Sequence, residues 1–492
     1  MDIGENRLGI VADCILKQSH DFEKPVNAKL RPFPFQIRET VQAILDKMER
    51  AGLVSSSNSY SPIVSQLLIQ KKKGTMKPRV ILDLRQVNAA CLKLPAQLPS
   101  QQEVFSIFAG KTLVSTCDIA NFFFTIPVRK DKRPLFCFFD TKNTRKQLNV
   151  LPQGFRNSSA YAAELTGRLL EGLDSFHTAF VDDIFIATPD LETPEKTVDF
   201  HIHQLELLFQ RLIIANLKIK PAKFEPMKNN IEILGYLYDS GTFSIPEHRV
   251  NAIQKIPRPK TPKAIKSYLA LVSYFRIFIR DYAKFCVPIL DVLKKSNKKV
   301  LWTPEAQKAF LQIKEEVKQA IRVSAPRFDR DFLMSCDASL VAHGSVLWQL
   351  DDNEVAYYLG CTSKVFTQTE RNTSSFYREI MCLVSALLHF SFYLEYADAI
   401  KIFTDALSIL WLKAIRQGLG KLFRYALIMS TFELTICHIP RKKDRWIAEL
   451  SSVGTTKVRQ NRRQCACESA GARKIPINSA VEMLKATVFI QS

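Results

Sequence analysis

Short β-favouring runs alternate with helical ones through the first half of the chain, and this alternation limits the fold more than any other feature. SQLLIQ (65–70), RVILDL (79–84), TLVSTCDI (112–119) and AFVDDIFIA (179–187) are the β-rich runs of this alternation. The pattern predicts a mixed sheet flanked by helices rather than a helical bundle. In IRETVQAILDKMERAGLV, Val41, Ile44, Leu45 and Met48 recur at helical spacing and Gly52 supplies the stop. At 492 residues the chain exceeds one core, and about three or four folded units are expected. Pro257, Pro259 and Pro262 mark a change to a helical, basic and aromatic segment spanning 246–325. A second strand-rich stretch covers 326–452. Residues 453–492 lack sustained periodicity and read as a basic, flexible tail.

Charge narrows the partners. Lys and Arg number 69 against 48 Asp and Glu, a formal net charge of +21. The excess is clustered, as in Lys71–Lys73, Arg129–Lys130, Lys294–Lys295, Arg441–Lys443 and Arg462–Arg463. Such blocks suit a long polyanion better than a small acidic substrate; the bland alternative is a surface kept basic for solubility. The 11 cysteines form no CxxC pair, and Cys465 and Cys467 have no His at ligand spacing. This argues against a zinc site or disulfide framework and for a reducing compartment. The N-terminus is too polar for a signal peptide, and the longest apolar stretch, Cys382–Leu394, falls short of the roughly 20 residues of a membrane span. A soluble protein with no membrane partner is expected.

The sharpest local feature is AFVDDIFIA, two apolar arms around Asp182 and Asp183. It reads as a hairpin with adjacent carboxylates at its tip, a repulsive pair that a divalent cation would reconcile. A further carboxylate, Asp118, ends the strand TLVSTCD. Brought beside the first two, it would complete a two-metal site, with Mg²⁺ fitting best because it keeps positions for water and phosphate.

STCDIANFFFTIPV, VLPQGFRNSSA and FVDDIFIA, in this order, resemble the three palm motifs of retroviral and gypsy-type LTR-retrotransposon reverse transcriptases. SYSPIVSQLLIQKKKG and KPRVILDLRQVNAA resemble their fingers, and ILGYLYDSGTFSIPEHRVNAIQKIPRPKTPKAIKSYLALVSYFRIFI with LWTPEAQKAF resembles the gypsy-type connection. The resemblance runs from about residue 25 to 452 and implies an α/β (α+β) right-hand polymerase followed by an RNase H-like domain. Residues 1–245 would form fingers and palm, and 246–325 thumb and connection. It implies that Asp118, Asp182 and Asp183 hold two Mg²⁺ ions, with Mn²⁺ a substitute. Phe123 would exclude a ribose 2′-hydroxyl, Gln153 would contact the new base pair, and Arg79 with one of Lys71–Lys73, here assigned to Lys72, would grip the dNTP triphosphate. The segment Lys266–Tyr282, with Tyr268, Tyr274, Phe275 and Phe278, is a candidate thumb contact whose bland reading is an amphipathic core helix. Two positions depart from the family: Phe180 replaces a Tyr, and Ser159 replaces a Pro, where Ser is expected to cap a helix acceptably.

Four acidic residues in the last third resemble the RNase H carboxylates of the same elements: Asp337 in LMSCDASLVAHGSVLWQ, Glu379 in SFYREIMCLVSALL, Asp405 in KIFTDALSILWL and Glu449 in HIPRKKDRWIAELSS. The resemblance implies two further Mg²⁺ ions and cleavage of RNA in RNA–DNA hybrids. Glu449 stands where Asp is usual and aligns only with a one-residue deletion, and Ala406 replaces a His. The implied partners are an RNA or DNA primer–template, the hybrid, dNTPs and other pol or gag products. The resemblance also implies cytoplasmic particles as the setting. Asp239–Ser240–Gly241 spells an aspartic-protease tripeptide but lacks the apolar strand that should follow it. The rival reading is a catalytically decayed, nucleic-acid-binding remnant of a transposable element.

Overall fold

The computed structural model describes residues 5–17, 33–58, 61, 63–71, 78–96, 98–173, 176–279, 281–295, 300–395, 397–404 and 420–438. The chain divides into two compact units, Met1–Ser100 with Lys111–Lys228, and Gln101–Gly110 with Asn229–Ser492. Both are mixtures of helix and strand, as the alternating pattern predicted.

In the first unit α1 (Phe35–Arg50) buries Val41, Leu45 and Met48, the stripe legible in the sequence. Strands β1 (Val54–Ser56) and β2 (Val64–Ser65) precede a hairpin of β3 (Leu67–Lys71) and β4 (Pro78–Leu82), in which Gln70 faces Arg79. After α2 (Arg85–Ala90) comes α3 (Gln101–Ile107), which belongs to the second unit. The first unit resumes with β5 (Leu113–Asp118), β6 (Cys137–Phe139), β7 (Arg145–Leu148), α4 (Ser158–Leu170), β8 (His177–Phe180), β9 (Asp183–Thr188), α5 (Pro194–Ile214) and β10 (Glu225–Lys228). One sheet has the order β1-β7-β6-β2 and a second β10-β5-β9-β8. Helices α4 and α5 pack on the second sheet, burying Leu165, Leu169, Leu208 and Leu212 with Ile184 and Ile186.

In the second unit β11 (Asn230–Ile233), β12 (Tyr236–Asp239), β13 (Thr242–Ser244) and β14 (Val323–Ser324) form an antiparallel sheet. Asp239–Ser240–Gly241 closes the β12–β13 hairpin, with positive φ at Ser240 and Gly241, so the protease-like tripeptide is turn chemistry. Phe105 of α3 stacks on Phe243 at 3.9 Å. Between β13 and β14 lie α6 (Glu247–Gln254), α7 (Pro262–Ser273), α8 (Tyr282–Lys295) and α9 (Pro304–Lys318). Among the described residues three helices start alike: Thr193, Thr261 and Thr303 each cap a helix whose first residue is Pro, a preorganised start that satisfies an orphan amide. Tyr268, Phe275 and Phe278 are buried, and Tyr274 is exposed.

The remaining sheet, β15 (Phe332–Ala338), β16 (Ala342–Leu350), β17 (Ala356–Val365), β18 (Ile400–Thr404) and β19 (Leu434–His438), has the order β17-β16-β15-β18-β19. Its first three strands are antiparallel, and β15, β18 and β19 are parallel. After α10 (Gln368–Arg371), α11 (Ser375–His389) buries Ile380, Leu383 and Leu387 against this sheet. Among the described residues no helix is long and apolar enough to cross a membrane. Residues 453–492 lie outside those described.

Candidate active sites

Strands β5 and β9 pair antiparallel with Asp118 directly opposite Asp183. Strand β8 ends at Phe180 and β9 starts at Asp183, so the hairpin tip is Val181–Asp182. The sequence reading placed both carboxylates at the tip; the register leaves Asp182 in the turn and draws Asp183 into the strand. Val181 has φ of 60°, a conformation β-branched residues rarely adopt and one that tight functional turns retain. The turn is held because the Ile119 amide donates to the Asp182 carbonyl at 3.1 Å. The three carboxylates therefore lie together at one end of the central strand pair β5–β9.

Their electrostatics differ. Asp118 is 4% exposed. Burial pushes its carboxyl up, and hydrogen bonds from the Lys220 and Lys223 ammonium groups to its two oxygens more than reverse this, leaving it below the ordinary value. Asp183 is pushed up to about 6 by burial first and then by the charges of Asp182 and Asp118. A set of three mutually repelling carboxylates suits a hard divalent cation. In the arrangement described, however, both Asp118 oxygens are engaged by lysines. Among the described residues no group of three or more His, Cys, Asp or Glu side chains closes on a point where an ion could sit.

The sequence reading missed these lysines, which lie in LKIKPAK and carry no motif signature among so many basic residues. It also missed a buried polar bridge behind the site. His201 of α5 is fully buried, with ring nitrogens 2.7 Å from Ser115 Oγ on β5 and 2.7 Å from Thr188 Oγ1 on β9. Ser115 Oγ also accepts from the Met227 amide of β10 at 2.9 Å. One imidazole thus ties two strands of the sheet to a helix, and Ser115 carries the link on to a third.

Phe123 sits in a 3₁₀ turn, Phe122–Thr125, partly buried, with its ring edge-on to Phe122 at 5.7 Å. Gln153 is half-buried beside Pro152 and lines an apolar hollow with Leu67, Val80 and Phe124. Arg79 lies on β4, its side chain outside the description, and Lys72 lies outside the described residues altogether. Helix α4 begins at Ser158 with Asn157 at the cap position. Ser159 is therefore its second residue and not, as expected, its cap. Asn157 spends its side chain on the Leu94 amide and the Leu92 carbonyl.

In the second unit Asp337 lies near the end of β15, half-exposed, and Glu379 is buried in the first turns of α11. Cys382, one turn beyond Glu379, donates its thiol to the Asp337 carbonyl at 3.2 Å, tying the helix to the strand end that carries Asp337. Strand β18 stops at Thr404. Asp405 and Glu449 lie outside the described residues.

Comparison with known proteins gives these arrangements a context. Residues 69–238 match the family model described as reverse transcriptase (RNA-dependent DNA polymerase). Residues 302–402 match the RNase H-like domain found in reverse transcriptase. The chain is 26% identical over 440 residues to the retrovirus-related Pol polyprotein from transposon opus of Drosophila melanogaster, covering 86% of this chain and 42% of that protein. It is 26% identical over 377 residues to the transposon Tf2-3 polyprotein of Schizosaccharomyces pombe, covering 74% of this chain and 27% of that protein. The chain thus spans about two fifths or less of the Pol polyproteins it matches. In fold it is similar to a foamy viral protease-reverse transcriptase in complex with dsDNA, with a TM-score of 0.74, 19% identity and 89% of each chain covered. A second structure, of the foamy viral protease-reverse transcriptase with an RNA/DNA hybrid, gives a TM-score of 0.72 at 18% identity, covering 94% of this chain and 60% of that one. Residues 69–238 thus match a reverse transcriptase domain and residues 302–402 an RNase H-like domain, and the chain is similar to the Pol polyproteins of gypsy- and Tf2-type retrotransposons.

Proposed function

We propose that the chain is an RNA-directed DNA polymerase that extends a primer 3′-hydroxyl with dNTPs, and that its RNase H-like part cleaves the RNA of the resulting hybrid. The observation that supports this most is the in-register pairing of Asp118 with Asp183, beside Asp182 in the adjoining turn. Asp118, Asp182 and Asp183 would hold two Mg²⁺ ions, and Asp337, Glu379 and Asp405, with Glu449 alongside, two more; when bound, such ions activate the attacking hydroxyl or water and stabilise the leaving oxygen. The remaining roles fall to the chain's own side chains. Phe123 would close the space beside the sugar C2′ and so favour dNTPs. Gln153 would bear on the new base pair, and Arg79 and Lys72 would neutralise the triphosphate. Residues 1–245 would act as fingers and palm, 246–325 as thumb and connection, 326–452 as the nuclease and 453–492 as a basic tail. The duplex would be held through phosphates and hybrid shape, not base sequence.

The test is dNTP incorporation on a primed, labelled RNA template with Mg²⁺, beside the double variant Asp182→Asn, Asp183→Asn. Extension by the wild type and none by the variant is expected, with shortening of the RNA reporting the nuclease. Binding of primer–template without extension would overturn the polymerase reading in favour of a nucleic-acid-binding remnant.

A further inference from the structure

We propose that Lys220 and Lys223 are resident counter-cations of the carboxylate cluster, holding Asp118 in the metal-free protein and yielding it when a divalent ion binds. The inference rests on the metal-site reading above and concerns what the site does before metal arrives.

The backbone fixes the lysines where the argument needs them. Residues 218–220 run antiparallel to 118–120, with an Ile119–Ile219 bridge. The Lys220 amide donates to the Asp118 carbonyl at 2.9 Å, and the Ala120 amide to the Lys218 carbonyl at 2.6 Å. Pro221 then opens a 3₁₀ turn, Pro221–Lys223. Residues three apart in such a turn lie over one another, so Lys223 comes to the same carboxylate as Lys220. Each ammonium takes one oxygen of Asp118.

A buried carboxylate beside two others is costly without a counter-charge. Each lysine occupies one lone pair of an Asp118 oxygen and offsets its charge, so an ion approaching Asp118 meets two resident cations and is opposed until at least one of them swings away. Displacement is cheap on the lysine side. Lys220 and Lys223 are 39% and 60% exposed at their side chains, and their flexible stems let the ammonium groups swing into water. The outcome is competition: the metal-free fold is stabilised, and intrinsic metal affinity is lowered by the same coupling.

The test measures Mn²⁺ binding by electron paramagnetic resonance, and melting with and without Mn²⁺, on the full nucleotide-free chain. Lys220→Met is expected to tighten Mn²⁺ binding on the order of tenfold, to melt lower in chelator and to gain more from added Mn²⁺. Lys228→Met, an exposed lysine on β10, should change neither quantity, and Lys220→Arg should bind Mn²⁺ no more tightly than wild type. If Lys220→Met melts below the assay temperature, Lys223→Met makes the same measurement. Unchanged Mn²⁺ affinity in the folded lysine variant, with fewer Mn²⁺ ions bound by Asp182→Asn, Asp183→Asn than by wild type, overturns this inference alone. Equal binding by wild type and the double aspartate variant overturns the metal-site reading, and this inference with it.

Discussion

Single residues carry the proposed selectivity and part of the stability. Phe123 stands at the edge of the core, so Phe123→Val should leave folding near wild type while opening space beside the sugar. On the proposed reading, discrimination against rNTPs should fall on the order of 10²-fold, the scale at which pocket shape separates substrates, measured as the ratio of kcat/KM for dNTP and rNTP. Ser115→Ala makes a different demand. It removes the partner of both His201 and the Met227 amide, leaving buried polar groups unmet, and should cost about 1–3 kcal/mol in urea unfolding. Both positions lie in the strand-and-turn stretch around Asp118, yet only Phe123 drew attention in the sequence. A serine in a strand looks the same whether it faces solvent or a buried imidazole.

At the scale of elements, helix starts and the imidazole bridge decide stability. Thr193→Ala removes the cap that accepts from the Lys196 amide and should lower stability by about 1 kcal/mol. Burial holds His201 at about 4, with the nearby His177 acting in the same direction. The unfolded chain therefore binds the extra proton between about pH 6.5 and 4, and stability is full above that window and falls as pH drops through it. The slope should reach about 1.4 kcal/mol per pH unit for this one group. His201→Gln should flatten it in urea midpoints taken from pH 7 to 4. Part of the slope should survive because His389, half-buried, is also held at about 4 by desolvation. The helix stripe of α1 and the strands flanking the carboxylates were legible because their apolar periods are local. The pairing of Asp118 with Asp183 was foreseeable from resemblance, but its register was not, since register depends on where the turn falls.

For the whole molecule, the division into units has a consequence of its own. Residues 101–110 sit in the sequence of the first unit but pack in the second, with Phe105 on Phe243 and Phe108 on Tyr238. A fragment ending at residue 228 keeps those rings and loses their partners. It should bind an apolar dye that the full chain does not, and a fragment with 101–110 on the outside is prone to associate. The net charge of +21 acts on this scale too. Primer–template affinity should fall about 10³-fold or more between 50 and 200 mM salt, if 6–10 phosphates are contacted, with little dependence on base sequence.

The sequence alone determined the alternating architecture, the basic character and the order of the acidic motifs, because hydrophobic period, charge and spacing are written along the chain. Tertiary structure alone decided which residues meet. Asp182 was left in the turn and Asp183 drawn into the strand, Lys220 and Lys223 were brought to Asp118 across a strand pair, and His201 was sunk between two hydroxyls. Such contacts join positions far apart in sequence. Their energy comes from burial and register, which have no local signature.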